Sequence, residues 1–177
     1  MQPATTRMTT KKRIAIISTG GTIEKTYDEF AGVLNNHTNV LDVVLATLQL
    51  DGTELVRVPL LNKDSLDMTE SDHDLIAQTV ASMTSAHDGV IVVHGTDKLS
   101  ISGERIYDLV TNPRVPIVLT GAMRPYVMRN TDAVQNLTEA LLAVQLLAPG
   151  VYVAMHNRVL QFPGVLKDRD RGTFAKP

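Results

Sequence analysis

Five short stretches of the chain are rich in Val, Ile and Leu without strict alternation: residues 13–18, 54–60, 89–94, 115–120 and 151–156. That pattern predicts strands covered on both faces. Between them, apolar residues recur at helical spacing. The segment 38–50 places Leu41, Val44, Leu45 and Leu48 on one face. The segment 69–86 opens with Thr69 and Asp72, spaced as in a capping box with Asp in place of Glu or Gln. It continues with Leu75, Ile76, Val80 and Met83. Residues 100–110 carry Ile101, Ile106 and Leu109, and residues 131–148 carry Val134, Leu137, Leu141, Leu142 and Leu146. Pro149-Gly150 stops the last of these helices.

Strand and helix alternate throughout, which predicts an α/β domain: a doubly wound parallel sheet of about five main strands with helices on both faces, Rossmann- or flavodoxin-like. Right-handed crossovers leave few topologies, and strand order 2-1-3-4-5 is favoured. Ligands of such sheets bind beyond the carboxyl ends of the strands, at the switch point between the first and third strands.

Composition narrows the chemistry. The 177 residues are 44% hydrophobic and 20% charged, which suits one globular domain, here 13–177 behind a mobile tail at 1–12. A net charge of -2 argues against nucleic acid or an anionic membrane as partner. There is no cysteine, so thiolate nucleophiles, disulfides and sulfur-ligated zinc are excluded. The five histidines show no metal-ligand spacing, and no metal or cofactor is expected. The polar start has no apolar h-region, and no stretch reaches transmembrane length, so the cytoplasm is the default location.

The loops after the first and third expected strands hold the candidate chemistry. One reads Thr19-Gly20-Gly21-Thr22 and the other His94-Gly95-Thr96-Asp97. Glycine lets backbone N–H groups approach a ligand closely, and threonine brings a hydroxyl that can act as a nucleophile when activated. Each motif alone also fits a tight turn capped by threonines. Neither GxxxxGK[ST] nor GxGxxG spacing is present, which disfavours a nucleotide site. About sixteen residues follow the first motif before the next helix, longer than an ordinary connection, and suggest a lid.

TGGTI at 19–23, HGTD at 94–97 and GAMRP at 121–125 together resemble the L-asparaginase family of bacterial-type threonine amidohydrolases, over residues 13–175. The resemblance implies hydrolysis of L-asparagine to L-aspartate and ammonia; an apolar pocket discriminates one extra methylene only modestly, which admits L-glutamine as a minor substrate. The resemblance also implies Thr22 as nucleophile, Tyr27 as its hydrogen-bonding partner, and Thr96, Asp97 and Lys167 as a second catalytic cluster. Gly21, Ser65, Leu66, Gly95 and Ala122 would line the substrate. In that reading Ser65 holds the α-carboxylate, Asp97 the α-ammonium, and the Ala122 carbonyl the side-chain amide. By itself, Lys167 in a run with Asp168, Arg169, Asp170 and Arg171 reads as a solvated charged stretch. His94 reads as a buried hydrogen-bonding group, Arg124 as a loop brace, and Asp132 as a helix cap.

Family members usually carry a second, smaller C-terminal domain that helps to close a neighbour's site. This chain reaches Pro177 just after Lys167, so the resemblance implies a short single-domain member with weaker substrate binding. Leu66 stands where the family often has a polar residue. A homodimer or homotetramer is expected. The competing reading is a non-catalytic amino-acid-binding or sensor domain on the same fold.

Overall fold

The computed structural model describes residues 10–35 and 40–177. The expected tail lies mostly outside them, as do the first residues of the expected helix 38–50.

Six strands form the central sheet: β1 (Lys12–Gly20), β4 (Thr53–Lys63), β5 (Gly89–Val93), β6 (Pro116–Thr120), β7 (Gly150–Met155) and β8 (Arg158–Gln161). Their order is β4-β1-β5-β6-β7-β8. The first five are parallel in the expected 2-1-3-4-5 arrangement. β8 was not expected; it folds back antiparallel on β7. The turn that permits this uses His156 and Asn157, both at positive φ (53° and 58°).

Period-two alternation divides the core. Ile14 and Ile16 face one layer with Leu41, Val44, Leu137 and Ala140, from α1 (Val40–Ala46) and α4 (Ala133–Leu146). Ala15 and Ile17 face the opposite layer with Ile76, Val80, Leu99 and Ile106, from α2 (Glu70–Met83) and α3 (Leu99–Leu109). Two helices on each face is the doubly wound form. β1, β5, β6 and β7 are buried throughout apart from the first two residues of β1, whereas the edge strand β4 is mostly half-buried.

Several sequence expectations shift at element ends and faces. α1 stops at Ala46, short of Leu50. Thr47 and Leu48 turn their N–H groups back to Val44 and Leu45, and the Thr47 hydroxyl also takes the Val44 carbonyl. Leu75, Ile101, Leu109, Leu142 and Leu146 are exposed; Ile76, Ile106, Leu137 and Leu141 carry the packing. The expected lid is structured. It holds a short 3-10 turn (Thr22–Glu24) and a hairpin of β2 (Thr26–Asp28) with β3 (Val33–Asn35). A second hairpin pairs β9 (Leu166–Asp168) with β10 (Thr173–Ala175).

The capping relation at α2 is present. The Asp72 carboxylate accepts the Thr69 N–H at 2.8 Å, and Lys63 at the end of β4 reaches both its oxygens at 2.9 Å. The Thr69 N–H first, then Lys63, hold the Asp72 carboxyl down to about 2. A depressed folded-state pKa contributes stability that is complete above the unfolded value and vanishes as pH falls through the folded one. Stability should therefore fall by about 2 kcal/mol between pH 4 and pH 2 on account of this group. Asp72→Asn should flatten that part of the curve in urea unfolding followed against pH.

Candidate active site

Four loops meet at the carboxyl rim of the sheet, and glycines form their junction. A Cβ on Gly21 would lie 2.5 Å from both Cα and N of Gly95. One on Gly95 would lie 2.6 Å from Ser65 Oγ, and one on Gly121 would lie 2.2 Å from the His94 carbonyl oxygen. The loops after β1, β5 and β6 thus touch through bare backbone, and the loop after β4 adds the Ser65 side chain, at the switch point between β1 and β5. Gly21 also has φ of +86°, and its N–H donates to the Lys63 carbonyl at 3.0 Å.

Thr22 follows Gly21 and Thr96 follows Gly95, so each candidate threonine adjoins one half of this contact. Thr19 plays a different part. It is fully buried, and its hydroxyl donates to the Val93 carbonyl at 3.1 Å, tying the end of β1 to the end of β5. The Thr120 hydroxyl does the same between β6 and β7, donating to the Ala154 carbonyl at 2.9 Å. Among the described residues, Thr22 and Thr96 make no such tie through a donated proton.

From the β9 hairpin, Lys167 reaches into the rim. Its ammonium donates to Thr96 Oγ1 at 2.8 Å and to Asp97 Oδ1 at 3.0 Å. Its side chain is only 15% exposed, so it is not a solvated member of a charged run. Arg169 brings a second cation to Asp97 Oδ1 at 3.0 Å, with its side chain 69% exposed. Lys167 lies in β9 and Arg169 in the turn directly after it, so both cations come from the same hairpin. Nothing in the charged run 167–171 sets Arg169 apart, and its contact with Asp97 was not expected from the sequence.

A match to the family model described as "Asparaginase, N-terminal" spans residues 13–171. The chain belongs to the asparaginase family. It is 29% identical to an L-asparaginase of Thermococcus kodakarensis over 92% of this chain and 50% of that one. It is 34% identical to one component of the glutamyl-tRNA(Gln) amidotransferase of Haloquadratum walsbyi, over 81% of this chain and 33% of that one. The solved structure of the thermostable T. kodakarensis enzyme superposes with a TM-score of 0.81, covering 93% of this chain and 51% of that one. A probable cytoplasmic L-asparaginase of Campylobacter jejuni gives 0.79 at 29% identity, covering 94% and 53%. The chain thus spans about half the length of the asparaginases it matches.

Within this asparaginase-family rim, Ser65 is 1% exposed against Gly95, and Ala122 is 1% exposed in the loop after β6. Leu66 is 58% exposed and anchors its N–H on Asp64 Oδ1 at 3.0 Å. Tyr27 lies on the β2 hairpin, 64% exposed, and no hydrogen bond joins it to Thr22 among the described residues. The structure therefore gathers Gly21, Ser65, Gly95, Thr96, Asp97, Ala122 and Lys167, and leaves Tyr27 exposed on the β2–β3 hairpin.

Asp132 is 3% exposed but does not cap α4 with its side chain. Its carboxylate accepts the N–H groups of Met123 and Arg124, at 3.0 and 2.9 Å, and faces His156 Nε2 at 2.8 Å. Burial alone would raise this carboxyl; the Met123 N–H, His156 and the Arg124 N–H outweigh it and hold it below the usual range. Asn136 donates to the Gly121 carbonyl at 2.9 Å, and Arg124 Nε to the Asn130 carbonyl. These bonds shape the loop that presents Ala122. His156 Nδ1 lies 3.2 Å from Thr173 Oγ1, which links that loop to the hairpin carrying Lys167. Sequence order gave no sign of these long-range partners.

Among the described residues, no helix is long and apolar enough to cross a membrane.

Proposed function

We propose that this chain hydrolyses L-asparagine to L-aspartate and ammonia through an acyl-enzyme on Thr22, within one α/β unit over residues 13–177. The observation that carries the reading is the Lys167 ammonium bridging Thr96 Oγ1 and Asp97 Oδ1 beside the Gly21–Gly95 contact. The likeness to an L-asparaginase over most of this chain supports it.

In this reading the Thr22 hydroxyl attacks the side-chain amide carbon. The new C–O ester bond replaces the C–N bond, and the hydroxyl proton ends on the departing nitrogen, which leaves as ammonia. Water then attacks the ester, oriented by the Thr96 hydroxyl that Lys167 polarises, and returns a proton to Thr22. Backbone N–H groups of Thr22 and Thr96 supply oxyanion donors; neither has an acceptor among the described residues. Asp97 Oδ2 accepts from none of the described residues and receives the substrate ammonium. Ser65 and the adjoining N–H groups take the α-carboxylate, and the Ala122 carbonyl takes the side-chain amide. Tyr27 reaches Thr22 when the β2–β3 lid closes over substrate. Activity as a homodimer or homotetramer in the cytoplasm completes the proposal.

The deciding experiment is ammonia release from L-asparagine and L-glutamine by the wild type. Asparagine should be preferred by about 10- to 200-fold in kcat/KM, the discrimination available to one methylene. Saturable asparagine binding without ammonia release would favour the sensor reading instead. The 34% identity to an amidotransferase component favours a second reading, a component of an enzyme that acts on glutamyl-tRNA(Gln). Ammonia release from free asparagine that is unchanged by adding glutamyl-tRNA(Gln) would set that reading aside.

A further inference from the structure

His94 takes no part in the chemistry proposed above, yet it heads a buried chain of hydrogen bonds that ends on the site's backbone. Its ring is wholly buried, with Nδ1 2.7 Å from the Gly95 carbonyl oxygen and Nε2 2.8 Å from Ser102 Oγ. Ser102 Oγ, also wholly buried, lies 2.7 Å from Nδ1 of His73, itself 1% exposed. The two imidazoles stack with centroids 6.2 Å apart. The chain therefore runs from α2 through α3 to the loop after β5.

The direction of every bond in this chain is fixed by elementary chemistry. A carbonyl only accepts, so His94 Nδ1 carries the proton. Burial pushes the His94 imidazolium down to about 4, which leaves the ring neutral near pH 7 and Nε2 a lone pair. Ser102 must then donate its single proton to Nε2. Having spent it, Ser102 Oγ accepts from His73, whose Nδ1 is protonated in turn. Burial lowers His73 as well, and with both rings neutral each is held as the Nδ1–H tautomer, the one assignment that satisfies all three contacts.

The Gly95–Thr96 peptide is trans, so its carbonyl and the Thr96 N–H point in opposite directions. A Gly95 carbonyl drawn inward by His94 turns the Thr96 N–H away from the core. That N–H has no acceptor among the described residues. Steric contacts narrow the peptide's freedom further, since Gly95 is wedged between Gly21 and Ser65.

We propose that His94, Ser102 and His73 are positioning residues that lock the Gly95–Thr96 peptide so that the Thr96 N–H is preset to receive the oxyanion. This rests on the proposed acyl-transfer reading, and it ascribes to the helix pair α2–α3 a catalytic consequence without any contact with substrate. A preset donor lowers the barrier because no reorganisation is needed when charge develops. The loss should therefore fall on kcat rather than KM.

The test combines three variants with a spectroscopic reading of the wild type. His94→Leu should lower kcat by about 100-fold with KM for asparagine within about 3-fold. His94→Asn places an amide N–H where Nδ1–H stood and should recover most of that loss. Ser102→Ala frees the ring and should give an intermediate kcat. In wild type at pH 7, long-range 1H–15N correlation should show both His94 and His73 as Nδ1–H tautomers. An Nε2–H tautomer at His94 overturns the proposal, as does unchanged kcat in a folded His94→Leu or failure of His94→Asn to exceed it. If His94→Leu does not fold, the tautomers and Ser102→Ala decide. If the wild type releases no ammonia, the enzymatic reading falls; the tautomers, and the Thr96 amide shift on adding L-aspartate to wild type and His94→Asn, still decide the positioning.

Discussion

Lys167→Met should lower asparagine turnover by about a thousandfold, and Thr96→Val by a similar factor, while the double variant loses no more than either alone. The reason is that the two groups act as a unit. The ammonium spans Thr96 Oγ1 and Asp97 Oδ1, at 2.8 and 3.0 Å, so losing either end removes the same polarised hydroxyl. Lys167→Arg should not restore activity, because a planar fork replaces a compact charge on a flexible stem. The chain should stay folded in each variant. Asp97 keeps Arg169 as a partner, and a part-exposed pair contributes only about 1 kcal/mol. Steady-state ammonia release with thermal unfolding checks all four proteins. Additive losses in the double variant, or more than a tenth of wild-type turnover in Lys167→Met, would remove the pair from the mechanism.

Thr22→Ala should cost about ten-thousandfold in turnover yet leave L-aspartate affinity within about 3-fold and the melting temperature unmoved. Gly21→Ala, one residue earlier, should lose both activity and stability. Its Cβ would meet Gly95 backbone at 2.5 Å, where nothing flexible can give, in a residue at φ of +86°. Strain and overpacking together amount to about 2–4 kcal/mol. Neighbouring substitutions thereby separate chemistry from architecture: one removes an oxygen, the other forces two loops apart. Turnover persisting in Thr22→Ala would move the nucleophile elsewhere. A stable Gly21→Ala would contradict the loop contact itself.

The buried strands were legible because a strand covered on both faces leaves an unbroken apolar run, as at residues 14–17 and 90–93. Strand order followed from handedness and adjacency. β8 was not legible: Arg158–Gln161 is short and mostly exposed, and only the pairing with β7 makes it a strand. Helical faces were read too widely, because Leu142 and Leu146 keep helical spacing while lying in the open. Motif chemistry could be read where residues adjoin in sequence, as in Gly95-Thr96-Asp97. Lys167 needed the resemblance, since its meaning depends on a contact seventy-one residues away. Asp132 departs from its expected role for a related reason. A carboxylate at a helix start fits a cap by position, but here backbone donors from the loop before it claim the oxygens.

The meeting of Gly21, Gly95 and Gly121 carries a lesson for redesign. Where main chains abut with no room for a methyl group, the base of the crevice offers no position at which to install a new side chain. Attempts to broaden or redirect substrate choice will have to work from the periphery: Leu66, Arg169, and Tyr27 and Leu34 of the β2–β3 hairpin are exposed and can be exchanged without disturbing that junction. A library confined to these sites should keep its members folded while varying the shape and charge that an incoming amino acid meets.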